Sequence, residues 1–227
     1  MTWATQPPPG LRTVGDVATG TRLVLVRHGE AECNARGTIG GPLGCGGLTD
    51  LGRAQAGALV ERLARTRELD DVTALYTSVL PRAVQTAALL ATGLPAGLEA
   101  RADCELCELH PGEADGLTWP EFVDRYGVPD WANDPGAPLA PGGESWIGFY
   151  ERCTGAFARL VARHAGERVV LVVHGGVVEQ AMKAVLDVQP GDRLRLMTQN
   201  CSMTEIEYDA GRARLLRYND VAPLPAA

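Results

Sequence analysis

Two stretches of this chain share one grammar, and together they constrain its fold more than any other feature. Leu23-Val24-Leu25-Val26 runs into Arg27-His28-Gly29, and Val169-Val170-Leu171-Val172-Val173 runs into His174-Gly175-Gly176. A short unbroken apolar run reads as a strand buried on both faces, the kind found in parallel sheets. Each run ends in an imidazole followed by glycine, where the chain leaves the sheet. In open α/β sheets, ligands bind outside the carboxyl ends of the strands. Packing alone does not call for a histidine at that position twice, so His28 and His174 mark a site.

The rest of the chain alternates strands with helices. Leu51, Ala54, Ala58, Leu59 and Leu63 have helical spacing, with Thr49 or Asp50 as the candidate N-cap. A strand over Val72 to Tyr76 leads into a helix beginning near Pro81, since proline suits a first helical turn. A short strand is expected around Leu98 to Arg101. Trp146, Phe149, Cys153, Phe157 and Leu160 give a long helix one apolar face, and His164 near its end reads as a cap or surface residue rather than a ligand. A helix follows His174 through Leu186. Two last strands, about Met203 to Tyr208 and Ala213 to Tyr218, form a hairpin around Asp209-Ala210-Gly211.

This pattern predicts an α/β fold, three layers α/β/α around a mostly parallel central sheet. Residues 21–220 form its one domain, with an irregular lid insertion at about 109–149 that holds a short helix near Pro120 to Tyr126. Residues 1–20 are expected to be a flexible extension and 221–227 a loose tail. The lid is acidic, with Glu113, Asp115, Glu121, Asp124, Asp130, Asp134 and Glu144 against Arg125 alone.

Composition narrows the function. The chain has 227 residues and a net charge of −7, and no run of Lys or Arg supplies the basic face that nucleic-acid binding needs. No apolar run reaches the length of a membrane span, and the N-terminus lacks the features of a secretory signal. Six scattered cysteines fit a reduced, cytoplasmic setting better than a disulfide framework. The oligomeric state, a homodimer included, is left open.

Arg27-His28-Gly29-Glu30 followed by Asn34 resembles the opening motif of the histidine phosphatase superfamily, the phosphoglycerate mutase-like enzymes. Later landmarks extend the resemblance over roughly residues 22 to 220. Leu48-Thr49, Gly52 and Gln55-Ala56 match the family's pattern after its first active-site loop, where capping and packing are the implied role. Ser78, Arg82-Ala83 and Gln85-Thr86 match its Ser-x-x-x-Arg-Ala-x-Gln-Thr. Leu106, Glu108, Gly112, Gly116 and Thr118 match the stretch carrying its proton donor, which maps that role onto Glu108. Gly143-Glu144-Ser145 precedes the long helix, and His174 falls at the second active-site histidine. One departure stands out: the loop from Arg36 to Gly47 is Gly-rich and lacks the usual Gln-Gly-x-x-Asp pattern, which puts its substrate contacts in doubt.

The collected groups suit phosphoryl chemistry. Arg27, Arg82, His174, Asn34 and the backbone at Gly175 form a candidate pocket for a tetrahedral dianion, for which the planar arginine fork is well matched. His28 is the candidate nucleophile, one nitrogen attacking phosphorus while an acceptor holds the other. His174, if protonated, stabilises the equatorial oxygens. Glu108 is the candidate proton donor, with Glu30 a weaker alternative. The arginines and histidines carry the positive charge, so no metal and no cofactor are called for. Cys104-x-x-Cys107-x-x-His110 has partial zinc spacing but no fourth ligand close by, and ranks behind this reading. So does a redox pair.

The leading expectation is a metal-independent phosphomonoesterase for a small phosphorylated metabolite. A phosphoglycerate mutase is the runner-up, disfavoured by the short, acidic span between Glu108 and His174. A non-catalytic binding protein ranks last. The Gly-rich loop has two readings, plain flexibility or backbone that approaches an anion closely.

Overall fold

The two apolar runs become neighbouring parallel strands in the computed structural model, which describes residues 20–192 and 194–222. Strand β1 (Thr21–Arg27) pairs with β4 (Arg168–Val173), and Leu23 to Val26 and Val169 to Val173 are all buried. On the far side of β4 lie β2 (Val72–Thr77) and the edge strand β3 (Ala100–Ala102), both parallel. On the far side of β1, β5 (Met203–Asp209) and β6 (Arg212–Asp220) complete the sheet as an antiparallel hairpin. The order is β3-β2-β4-β1-β5-β6. The expected extension and most of the expected tail lie outside the described residues.

Successive strand side chains point to opposite faces, and each face has its own helices. Leu23, Leu25, Val169, Leu171 and Val173 pack with α5 (Trp146–Arg163) and α6 (Gly175–Val185). Val24, Val26, Val170 and Val172 pack with Ala56, Leu59 and Leu63 of α2 (Asp50–Thr66) and Ala83, Ala87 and Leu90 of α3 (Pro81–Leu90). Each fully buried aliphatic side chain contributes roughly 1.5–3 kcal/mol, so the two cores hold three layers together as the alternation predicts. None of the described helices is long and apolar enough to cross a membrane.

Of the two candidate caps of α2, Thr49 is the one used, its hydroxyl accepting from the Gly52 N–H at 3.0 Å. Local details differ from expectation in three places. A short helix, α1 (Glu32–Arg36), follows the Arg-His-Gly turn and ends at Gly37, whose φ of 65° suits glycine. The edge strand starts two residues and ends one residue later than expected, because its pairing with Leu75 to Thr77 sets the register. His164 does cap α5, but it is buried rather than at the surface, between the Tyr76 hydroxyl at 3.0 Å and the Glu167 carboxylate at 2.7 Å.

Residues 109–149 contain α4 (Trp119–Tyr126) and gather around a small core of Ala114, Phe122, Leu139 and Ala140. Trp131 of this segment stacks on Trp146 at the start of α5, ring centroids 4.8 Å apart. The segment is therefore anchored to the main domain by packing as well as by chain connection.

Candidate active site

Register places the site. β1 and β4 end level, Arg27 opposite Val173, so His28 and His174 leave the sheet side by side with ring centroids 5.0 Å apart. The His28 N–H donates to Val173 O at 3.0 Å, continuing the ladder one residue past the strand. β2 ends beside them, and α3 starts after three intervening residues, which puts Arg82 in the first helical turn.

Arg82 is buried and reaches back across the sheet edge. Its Nε–H donates to His28 Nε2 at 3.0 Å, and its Nη1–H to Gly40 O at 2.7 Å. Two other residues of the same motif brace the turn. Thr86 Oγ1 accepts from the Gly29 N–H at 3.1 Å, and Gln85 Oε1 from the Leu48 N–H at 2.7 Å. Close approach does the rest: a Cβ on Gly29 would lie 2.4 Å from Gly52 O, so the start of α2 presses directly on the turn. Gln55 adds an acceptor for the Glu30 N–H at 2.8 Å. Thr86, Gln85, Gln55 and Gly52 thus brace the turn that carries His28.

The acceptor that sequence left unnamed for His28 is its own neighbour. Nδ1 lies 2.6 Å from Gly29 O. A carbonyl only accepts, so Nδ1 carries the proton and Nε2 presents its lone pair toward Arg82. Burial, reinforced by the Arg82 and Arg27 charges, pushes the His28 pKa well below the usual histidine range. The same causes, burial first and then Arg82, do this to His174, which is fully buried. Both shifts favour the neutral form of each imidazole in the free protein. The His174 ring nitrogens have no protein hydrogen-bond partner.

Arg27, His28, Arg82, Glu108 and Gly175 line one cavity of about 310 Å³, the low end of the range for small-molecule sites. Arg27 donates through Nη1 to Thr198 O, while its buried Nε has no protein partner. Glu108 Oε2 accepts from the Gly176 N–H at 3.0 Å, at the first turn of α6. Asn34 lines the cavity, but it is exposed and its Oδ1 accepts from the Ala31 N–H at 3.2 Å, so it also caps α1. Glu30 is absent from the lining, and its Oε1 accepts from the Thr49 hydroxyl at 2.8 Å.

The Gly-rich loop does approach an anion, and that anion belongs to the protein. The Asp115 carboxylate accepts from the N–H groups of Gly41, Leu43 and Gly44 at 2.8, 2.8 and 2.9 Å. A Cβ at Gly41 would lie 2.6 Å from that carboxylate. Asp115 thereby ties the loop to the 109–149 segment, while Gly40 and Gly41 still line the cavity.

Sequence reading missed several lining residues: Glu179 on α6, and Leu196, Met197 and Thr198 ahead of β5. The polar run Thr198-Gln199-Asn200 was the available signal. Asn200 Nδ2 donates to His28 O at 2.9 Å, and the Cys201 N–H to Arg27 O at 2.9 Å, so this run packs against the turn from the β5 side. Gly176 was also missed as a fitted residue, although a Cβ there would meet Glu108 Oε1 at 2.2 Å.

With this geometry described, comparison with known proteins is informative. The chain is 37% identical over 163 residues to phosphoglycerate mutase-like protein 4 of Arabidopsis thaliana, covering 69% of this chain and 67% of the relative. It is 34% identical over 165 residues to the metal-independent phosphoserine phosphatase of the same plant, covering 70% and 66%. The matches span about two thirds of the length of these plant proteins. Among solved structures, mycobacterial glucosyl-3-phosphoglycerate phosphatase in complex with VO3 superposes with a TM-score of 0.72 at 32% identity, covering 88% of this chain and 99% of that one. The model of the histidine phosphatase superfamily, branch 1, matches residues 23–221. The chain belongs to the histidine phosphatase superfamily.

Proposed function

We propose that this protein hydrolyses phosphate monoesters of small metabolites through a phosphohistidine on His28, with no metal at the reacting centre. One observation carries the reading. Two arginines converge on a histidine whose Nδ1 proton is engaged by Gly29 O, and among the described residues neither arginine is ion-paired. Arginines with no carboxylate within ion-pair distance among the described residues, beside an imidazole whose Nε2 presents its lone pair, suit an incoming dianion. The phosphatase names of related proteins support the same reading.

The chemistry follows in two steps. Nε2 of His28 attacks phosphorus as the bond to the leaving oxygen breaks, with Arg82 passing from Nε2 to a phosphoryl oxygen. Arg27, Arg82 and His174 hold the three equatorial oxygens, where positioning and charge stabilisation do most of the catalysis. Glu108, in its acid form, gives its proton to the leaving oxygen. Its carboxylate then takes a proton from water as that water attacks phosphorus, the N–P bond breaks, and free phosphate leaves. The 109–149 segment acts as a lid that sets specificity, since Leu109 and Pro111 line the cavity.

The test is phosphate release from sugar phosphates, phosphoserine, phosphoglycerates, nucleotides and an aryl phosphate, without added metal. Release that vanishes in His28→Ala supports the reading. Release that persists in that variant, or none from any compound, contradicts it. Glu108→Gln should slow alkyl phosphates, whose leaving oxygens need a proton, more than aryl phosphates. Equal losses would remove Glu108 from the acid role.

A further inference from the structure

The loop that carries Glu108 holds a second cluster, one the phosphoryl chemistry does not use. Cys104 Sγ, Cys107 Sγ and a ring nitrogen of His110 all lie within 4.8 Å of one another. The sulfurs are 3.8 Å apart, and Cys104 Sγ is 3.9 Å from His110 Nε2. Zinc bonds thiolate at about 2.3 Å and imidazole at about 2.0–2.1 Å. For tetrahedral angles, those lengths require roughly 3.8 Å between sulfurs and roughly 3.6 Å between sulfur and nitrogen. These two separations are close to two edges of that tetrahedron before any ion arrives.

The surrounding backbone holds this arrangement. Cys104 begins a turn capped by Asp103, whose carboxylate accepts from the Glu105 N–H at 2.9 Å. Arg152 of α5 clamps the loop from beneath, donating to Glu105 O at 2.8 Å, Cys107 O at 3.0 Å and Glu108 O at 3.2 Å. Glu144 fixes that guanidinium with two bonds of 2.8 Å. Ser78 Oγ donates to Cys107 Sγ at 3.2 Å, the outer hydrogen bond that orients a thiolate ligand. Cys107 is buried and Cys104 exposed, so one side is anchored and the other admits an ion.

We propose that Cys104, Cys107 and His110 bind one zinc ion, with the fourth position open to solvent. Two soft thiolates and an imidazole select zinc over magnesium or calcium, which prefer oxygen ligands. Binding sends the two thiol protons to solvent, and the two thiolates neutralise the ion. Neither Cys33 nor Cys45 belongs to this cluster; Cys33 lies instead beside Arg82, its Sγ 3.9 Å from Nη1. Zinc ligands on both sides of Glu108 would brace the backbone that presents its carboxylate to Gly176. The ion is thus placed to stiffen the loop rather than to take part in phosphoryl transfer.

The test uses the full chain, reduced with a phosphine, stripped by a chelator and titrated with Co²⁺. The expected result is a sulfur-to-cobalt charge-transfer band that saturates at one equivalent and is displaced by one equivalent of Zn²⁺. Cys104→Ser, at an exposed position, and His110→Asn should each weaken binding by more than the roughly 10–100-fold that loss of an outer partner costs. Cys45→Ser should leave it unchanged. Added Zn²⁺ should raise Tm in the native chain and not in Cys104→Ser, because only a ligand of the folded state stabilises it. A band that fails to saturate at one equivalent, survives intact in Cys104→Ser or is lost in Cys45→Ser overturns the proposal. None of these readouts depends on phosphatase activity, so the site and the catalytic reading fail independently.

Discussion

The two ends of the parallel strands handle buried arginine in opposite ways. At the amino end, Arg168 is buried against Glu205 and Asp71, each at 2.8 Å. Elsewhere, the partly buried Arg62 and Arg217 share Glu68 and Asp220, and Arg214 pairs with the buried Glu207. At the carboxyl end, Arg27 and Arg82 face His28, backbone carbonyls and a thiol, and neither pairs with a carboxylate among the described residues. Burying a charge costs several kcal/mol unless a partner compensates. The amino end meets that cost within the protein. At the carboxyl end burial lowers even the Arg27 pKa, and in the proposed reaction an incoming phosphate monoester supplies the missing negative charge. On that proposal the difference separates arginines that hold the fold from arginines that hold a ligand.

Substitutions should split along that line. The largest effect on turnover is expected from His28→Ala, a loss of at least about 10⁴-fold with the fold retained, as for removal of a covalent nucleophile. Arg82→Gln should follow, at roughly 10²–10³-fold in kcat, as for loss of one transition-state donor. Its Tm should hold or rise, since it removes an uncompensated buried charge. Arg168→Gln should do the reverse, costing about 3 kcal/mol of stability with kcat of the folded enzyme unchanged. A stability loss in Arg82→Gln matching that of Arg168→Gln would erase the comparison. Gly176→Ala comes next. Its Cβ displaces the Glu108 carboxylate, so alkyl phosphate turnover should fall roughly 10–100-fold and aryl phosphate turnover less, given the usual worth of a general acid.

The smallest effects are in pH dependence, where the two ends should titrate in separate windows. The folded state holds His28 and His174 well below their usual pKa near 6.5. Below that value the unfolded chain binds protons the native protein refuses, so stability falls as pH drops through about 6.5. Inorganic phosphate should shrink this loss by offering the imidazoles an anion. Burial raises the Glu68 pKa, but Arg62 and Arg217 outweigh it and hold the carboxyl at about 2. Its contribution is present above about pH 4.5 and is lost as pH falls toward 2. Thermal melts across pH, with and without phosphate and in Glu68→Gln, separate the two windows.

The strands and the layers were legible because each buried run of four or five aliphatic residues has one physical reading, and because two of them end in His-Gly. The histidines, Arg27 and Arg82 could be assigned to one sheet edge for the same reason: strand ends converge whatever the loops do. What escaped depends on contacts between distant segments. Nothing local marks Gly176 as the one place where α6 must lack a Cβ for Glu108 to fit. Nothing in the Gly-rich loop says that its amides bind Asp115, more than 70 residues away in the chain. Nothing local ties the Thr198–Asn200 run to the site, and only the pairing of β5 with β1 brings it against His28. The zinc-like spacing was visible, but its donors were judged by ligand count rather than by the 3.8 Å separation that the Arg152 clamp maintains.

The central claim is that His28 Nε2 takes up the phosphoryl group. The most direct measurement is to mix enzyme with an aryl phosphate, quench in base within one turnover and locate the bound phosphoryl by peptide mass spectrometry. The account predicts an acid-labile, base-stable phosphoryl on His28, absent in His28→Ala and gone from the native enzyme once substrate is exhausted. Turnover by an enzyme whose His28 is never phosphorylated, or a phosphoryl group trapped on another residue, would contradict it.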